Sequence, residues 1–159
     1  MNDILTYTGE VCIKFVKNGK VMEHHSHNMG LEPLFRIIAQ ALAGEDVRAS
    51  KPAKIDLRVS SDGGSTWRTA LNSNGIATGV YYSRDNNGNW ITRATVAISY
   101  QQLLSPIDIS KLYRFYLCSV NEDLAYFPVN ASDLDSIQQG TQALVEWSLM
   151  VSNAPNTNE

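Results

Sequence analysis

From Ala143 to Val151 the chain alternates with period two: Ala143, Val145, Trp147, Leu149 and Val151 share one side, and Leu144, Glu146, Ser148 and Met150 the other. Successive residues of an extended strand point to opposite faces, whereas a helix would scatter this set around its surface. The same period recurs upstream. Ile55, Leu57 and Val59 alternate with Asp56, Arg58 and Ser60. In the arm from Trp90 to Tyr100, the set Thr92, Ala94, Val96, Ile98 and Tyr100 alternates with Ile91, Arg93, Thr95, Ala97 and Ser99. Turn chemistry separates these runs. Asn18-Gly19 lies between Glu10–Val16 and Val21–His27, and Asp85-Asn86-Asn87-Gly88-Asn89 lies between Val80–Arg84 and the Trp90 arm. Trp67–Leu71 returns from the 55–60 strand after a Gly/Ser-rich turn. Leu112–Val120 is a continuous aromatic and aliphatic run, read as a central strand, and Asp123–Val129 pairs with it across Asn121-Glu122.

One segment breaks the pattern. Leu34, Ile37, Ile38, Ala41 and Leu42 recur at helical spacing, Pro33 suits a first turn, and Gly44 stops the run. With only Glu32 and Arg36 charged inside it, this helix is expected to be mostly buried against a sheet. The expected fold is therefore mainly β: an antiparallel β-sandwich, jelly-roll-like, with one α-helix at about 31–43. Residues 9–152 form its single domain, 1–8 an N-terminal arm and 153–159 a flexible C-terminal tail. A chain of 159 residues is fully used by one such domain.

Charge narrows the function. Asp, Glu, Lys and Arg make up 18% of the chain, against about 25% in an average soluble protein. Net charge is −3 with thirteen Lys and Arg, so no basic surplus exists to neutralise phosphates, and nucleic acid is not an expected partner. The longest apolar stretch, Ile37–Ala43, falls far short of the ~20 residues of a membrane span, so no membrane partner is expected either. Met1-Asn2-Asp3-Ile4 lacks the basic and apolar blocks of a signal peptide. Cys12 and Cys118 each lie in an apolar, strand-like run and are expected as reduced core thiols, which suits synthesis in a reducing cytosol, with a single bridge between them left open.

Ser60-Ser61-Asp62-Gly63-Gly64-Ser65-Thr66-Trp67 is the sharpest motif. Asp62 is placed to accept backbone N–H bonds, the glycines permit positive φ, and Trp67 can pack back over the turn. It resembles the Asp box of sialidases and other β-proteins. That resemblance implies a structural turn made by Ser60, Asp62, Gly64, Thr66 and Trp67, away from any catalytic centre. One copy cannot build a propeller. His25 and His27 share a face of a strand and are weak metal candidates, too few for a closed zinc site; no metal or other cofactor is expected. Asp85–Asn89 offers oxygen ligands suited to calcium but reads first as a hairpin turn. The pairs Asp133/Asp135 and Asp108/Ser110 are of the kind found in turns and helix starts. G-x-S-x-G, H-E-x-x-H and Gly-rich phosphate loops are missing from the sequence, so no catalytic residues are assigned. Tyr113, Tyr116, Tyr126 and Phe127 gather around the Leu112–Val129 hairpin, as a core stripe first and as interface candidates second.

A longer stretch resembles a family. His27-Asn28-Met29-Gly30 leads into Leu34-Phe35-Arg36-Ile37-Ile38-Ala39-Gln40-Ala41-Leu42-Ala43-Gly44 and then Lys51-Pro52-Ala53-Lys54-Ile55-Asp56-Leu57, and the chain closes through Gly140-Thr141-Gln142-Ala143-Leu144-Val145-Glu146-Trp147-Ser148-Leu149. This order is similar to that of small virion proteins of tailed bacteriophages. The resemblance implies a non-enzymatic β-sandwich, made in the host bacterial cytoplasm and resident in the virion. Its partners would be copies of itself and other virion proteins of capsid, portal or tail. The sharpest version is a decoration or fibre-anchoring protein on the capsid exterior; a neck or tail accessory protein is the close alternative. From other classes, a carbohydrate-binding module would need Trp67, Trp90 and nearby tyrosines exposed and coplanar. A glycosidase fragment would need two carboxylates at about 5–10 Å across a cleft.

Overall fold

A computed structural model of the chain describes residues 5–17, 20–27 and 29–153, with side chains described for residues 30–150. Two antiparallel sheets share one hydrophobic core. The first sheet is built from β1 (Leu5–Lys17), β2 (Lys20–His27), β7 (Gly79–Arg84), β8 (Trp90–Ser99) and β11 (Gln142–Asn153), in the order β2-β1-β11-β8-β7. The second contains β3 (Met29–Gly30), β4 (Lys54–Ser60), β5 (Arg68–Thr69), β6 (Ile76–Ala77), β9 (Leu112–Cys118) and β10 (Asp123–Val129). Its order is β3-β10-β9-β4-β5, with β6 pairing the start of β4 and β5 its end. The chain crosses between sheets after β2, β6, β8 and β10, so the architecture is the expected mainly β sandwich.

The alternation explains the core. Ala94, Val96 and Ile98 of β8 and Ala143, Val145 and Trp147 of β11 meet Ile55 and Leu57 of β4, Tyr113, Phe115 and Leu117 of β9, and Ala125 and Phe127 of β10. Trp147 is fully buried, and its cross-strand partner is Ala94, whose small side chain leaves room for the indole. β9 sits in the middle of its sheet, as its unbroken apolar run requires.

Residues 5–8, read as part of an arm, lie in β1, where Leu5 pairs with Asn153. Residues 1–4 and 154–159, and the Asn18-Gly19 turn, lie outside the described residues. The helix α1 (Glu32–Leu42) forms where expected, with Pro33 in its first turn and Gly44 at φ 83 just beyond its end. It is not mostly buried. Leu34 is its one buried residue, whereas Leu42 is 73% exposed. The helix docks beside β10 by a narrow stripe: Leu31 N–H donates to Leu124 O at 2.9 Å, and Arg36 donates to Glu122 at 2.5 Å. A low charge count therefore marks an exposed apolar side here, not burial. A second helix of one turn, α2 (Ala131–Leu134), and two 3-10 turns at Arg48–Ser50 and Tyr100–Gln102 are too short for periodicity to reveal.

Candidate functional site

The Asp-box-like segment is the loop from β4 to β5, and the side chains of Ser60, Asp62, Thr66 and Trp67 hold it together. The Ser60 hydroxyl donates to Asp62 Oδ1 at 2.7 Å and accepts the Gly64 N–H at 2.9 Å. Thr66 donates its N–H and its hydroxyl to the two Asp62 oxygens, at 2.9 and 2.5 Å. Trp67 Nε1–H donates to Gly64 O at 3.0 Å, closing the indole over the turn. Gly63 and Gly64 carry φ values of 75° and 100°, which side chains with a Cβ rarely adopt. The Thr66 hydroxyl and N–H, then the Ser60 hydroxyl, hold the Asp62 carboxyl well below the usual carboxylate range.

The outer face of the second sheet continues from this turn as an aromatic and cationic ladder. The Arg114 guanidinium lies 4.2 Å from the Trp67 ring centre and 4.4 Å from that of Tyr126. Its cross-strand neighbour Arg58 stacks on Tyr116 at 4.1 Å. Two arginines directly opposite repel each other. Arg58 is neutralised by bonds to Asp123 at 2.7 and 2.8 Å and to buried Asp56 at 2.9 Å. Asp56 also accepts the Thr69 hydroxyl at 2.7 Å, and the Arg58 guanidinium holds Asp123 below its ordinary range. Cys118 lies in this cluster as a free thiol; burial, then the Asp123 charge, push it up to about 12. At neutral pH this favours the thiol over the reactive thiolate.

Beside the turn is a cleft of about 620 Å³, lined by Gly63, Gly64, Trp67, Leu112, Arg114 and Asn130 among others. One face of Trp67 in it is already taken by Arg114. The glycan reading needs exposed coplanar rings, and the described pair nearest to this, Tyr82 and Trp90, is tilted by 52°.

The aromatic interface candidates require correction. Tyr113, Tyr116 and Phe127 are buried within the chain, Tyr113 and Phe127 in the core and Tyr116 under Arg58; Tyr126 alone is half-buried. Exposed rings sit elsewhere, on the β7–β8 hairpin. Tyr82 is 76%, Trp90 57% and Tyr81 47% exposed. Tyr82 and Trp90 have centroids 5.8 Å apart, and the Arg84 guanidinium lies 5.3 Å from the Trp90 ring. The sequence places these rings on strands; their exposure follows from β7 lying at the margin of its sheet.

The turn of this hairpin is organised by Asp85, whose Oδ1 accepts the Asn89 N–H at 2.8 Å and the Asn87 N–H at 2.9 Å. These bonds, that from Asn89 first, lower its pKa and account for the loop as a hairpin turn. Asp108 caps its own turn by accepting the Ser110 N–H and hydroxyl, and Asp133 lies in α2, one residue before its end. His25 and His27 stand on β2 opposite Cys12 and Glu10; their side chains lie outside the described residues. Compared with family models, with curated proteins and with solved structures, the chain matches none.

Proposed function

We propose that this chain is a non-enzymatic structural protein of a tailed-bacteriophage particle, docking on the capsid exterior as a decoration or fibre-anchoring protein. One observation carries the proposal. A low-charge surface leaves large apolar side chains in the open, among them the adjoining rings of Tyr82 and Trp90 on one marginal hairpin. Exposed aromatic clusters of this kind mark surfaces that another protein covers. The resemblance of the segments at the exit of β2, α1, β4 and the closing strand β11 to small virion proteins adds to it.

Electron microscopy of particles made from the genome that encodes the chain is the test. A two-sheet density of this shape on the capsid exterior is the expected result. The same density at the neck or tail would select the accessory role instead. Particles that lack the chain altogether would overturn the proposal.

A further inference from the structure

The two sheets end differently at their margins. Strand edges present unpaired N–H and C=O groups, and monomeric proteins blunt them with short strands, Pro, Lys or bulges. The second sheet uses such devices: β3, β5 and β6 are two residues each, and Pro128 interrupts the donors of β10 where β3 no longer covers it. β7 uses none. It pairs with β8 without a register break from Gly79↔Thr95 to Arg84↔Trp90, contains neither Pro nor Lys, and lies last in its sheet.

We infer that the β7 edge is the site where a second copy of this chain binds, strand to strand and antiparallel, so that the first sheets of two copies become one. This deepens the proposed virion role, on which it rests for its purpose. A two-fold axis perpendicular to the sheet keeps each face on its own side, so residues of equal parity pair. Centring on Tyr82, the more exposed of the two rings of the strand, sets Tyr82 against its own copy, Val80 against Arg84 and Tyr81 against Ser83. No like charges meet, because Arg84, the one charge of β7, faces Val80. Tyr82 shares the core-side face of β7 with Val80, so the Tyr82–Trp90 pairs of both copies adjoin at the axis. At roughly 150–250 Å² per ring, scaled by their exposure, the three rings of two copies offer on the order of 800 Å². The two edge backbones and flanking side chains bring this near the roughly 1,200 Å² at which stable interfaces begin.

Light scattering across a concentration series tests this directly. The wild-type chain is expected to double its mass. Tyr82→Lys should weaken association by roughly a hundredfold, since two ring burials are lost and two ammonium groups face each other. Arg68→Lys, on the edge of β5, should change nothing. Independently, Tyr82→Cys treated with a mild thiol oxidant should give a covalent dimer that Arg68→Cys does not, and this arm decides the matter if Tyr82→Lys fails to fold. A wild-type chain monomeric throughout, a Tyr82→Lys variant that associates like wild type, or equal cross-linking at both positions would overturn the inference. A monomer found in the particle sinks the edge contact alone. A dimer absent from the particle sinks the virion role alone.

Discussion

The hairpin β4–β5 and the hairpin β7–β8 are both stitched by an aspartate in the turn, yet they leave their sheets in opposite states. In the first, Asp62 and Trp67 fold the loop back, and β5 ends after Arg68 and Thr69, so the edge is closed almost as soon as it opens. In the second, Asp85 holds a tight turn and both strands run on at full length, with Tyr82 and Trp90 in solvent. The difference separates two uses of one local device. A turn aspartate fixes where the chain reverses; the length and composition of the returning strand decide whether the edge is finished or offered to a partner.

The largest expected effect lies on the finished side. Arg58→Ala strands Asp56 and Asp123 and removes the cation over Tyr116. It should cost about 2–3 kcal/mol in urea unfolding, below the roughly 3–5 of a fully buried pair because Asp123 is partly exposed. A loss near zero would mean that this face is not closed by its ion pairs.

Acid compares the two turns next. Both aspartates have folded pKa values below their unfolded ones, so the folded state binds fewer protons. Their stabilisation is complete above about pH 4 and disappears as pH falls through the folded values. Asp62, held by two donors from Thr66 and one from Ser60, is shifted further than Asp85. Asp62→Asn should therefore flatten the fall of melting temperature below pH 4 more than Asp85→Asn does. Equal slopes would erase the distinction between the turns.

A smaller effect is expected at Thr141, whose buried hydroxyl has no hydrogen-bond partner among the described residues. Thr141→Val should be neutral or stabilise by up to about 1 kcal/mol. Smallest of all, Tyr82→Lys should leave the stability of the monomer within about 0.5 kcal/mol, because a ring 76% exposed contributes little to its own fold.

The long strands, the helix and the hairpins were legible in the sequence because period two and period 3.6 are properties of a segment alone. Trp147, Val145 and Ala143 announce their burial by alternation, and the structure buries all three. What alternation does not carry is which neighbour lies beyond a strand. Tyr116 alternates to the outer side of β9 and would be a surface residue if Arg58 and its partners did not cover it. Tyr82 alternates to the core side of β7 and would be buried if the second sheet extended that far. Both depend on sheet order, which long-range pairing sets. The two-residue strands β3, β5 and β6 are too short to show any period, so the blunted margin was invisible for the same reason.

Amide hydrogen exchange measured at low and at high protein concentration tests the central comparison most directly. The account predicts that protection rises with concentration at Val80–Ser83 of β7 and stays constant at Arg68–Thr69 of β5 and Ile76–Ala77 of β6. Concentration-independent exchange along β7, or protection gained equally at the margins of both sheets, would contradict it.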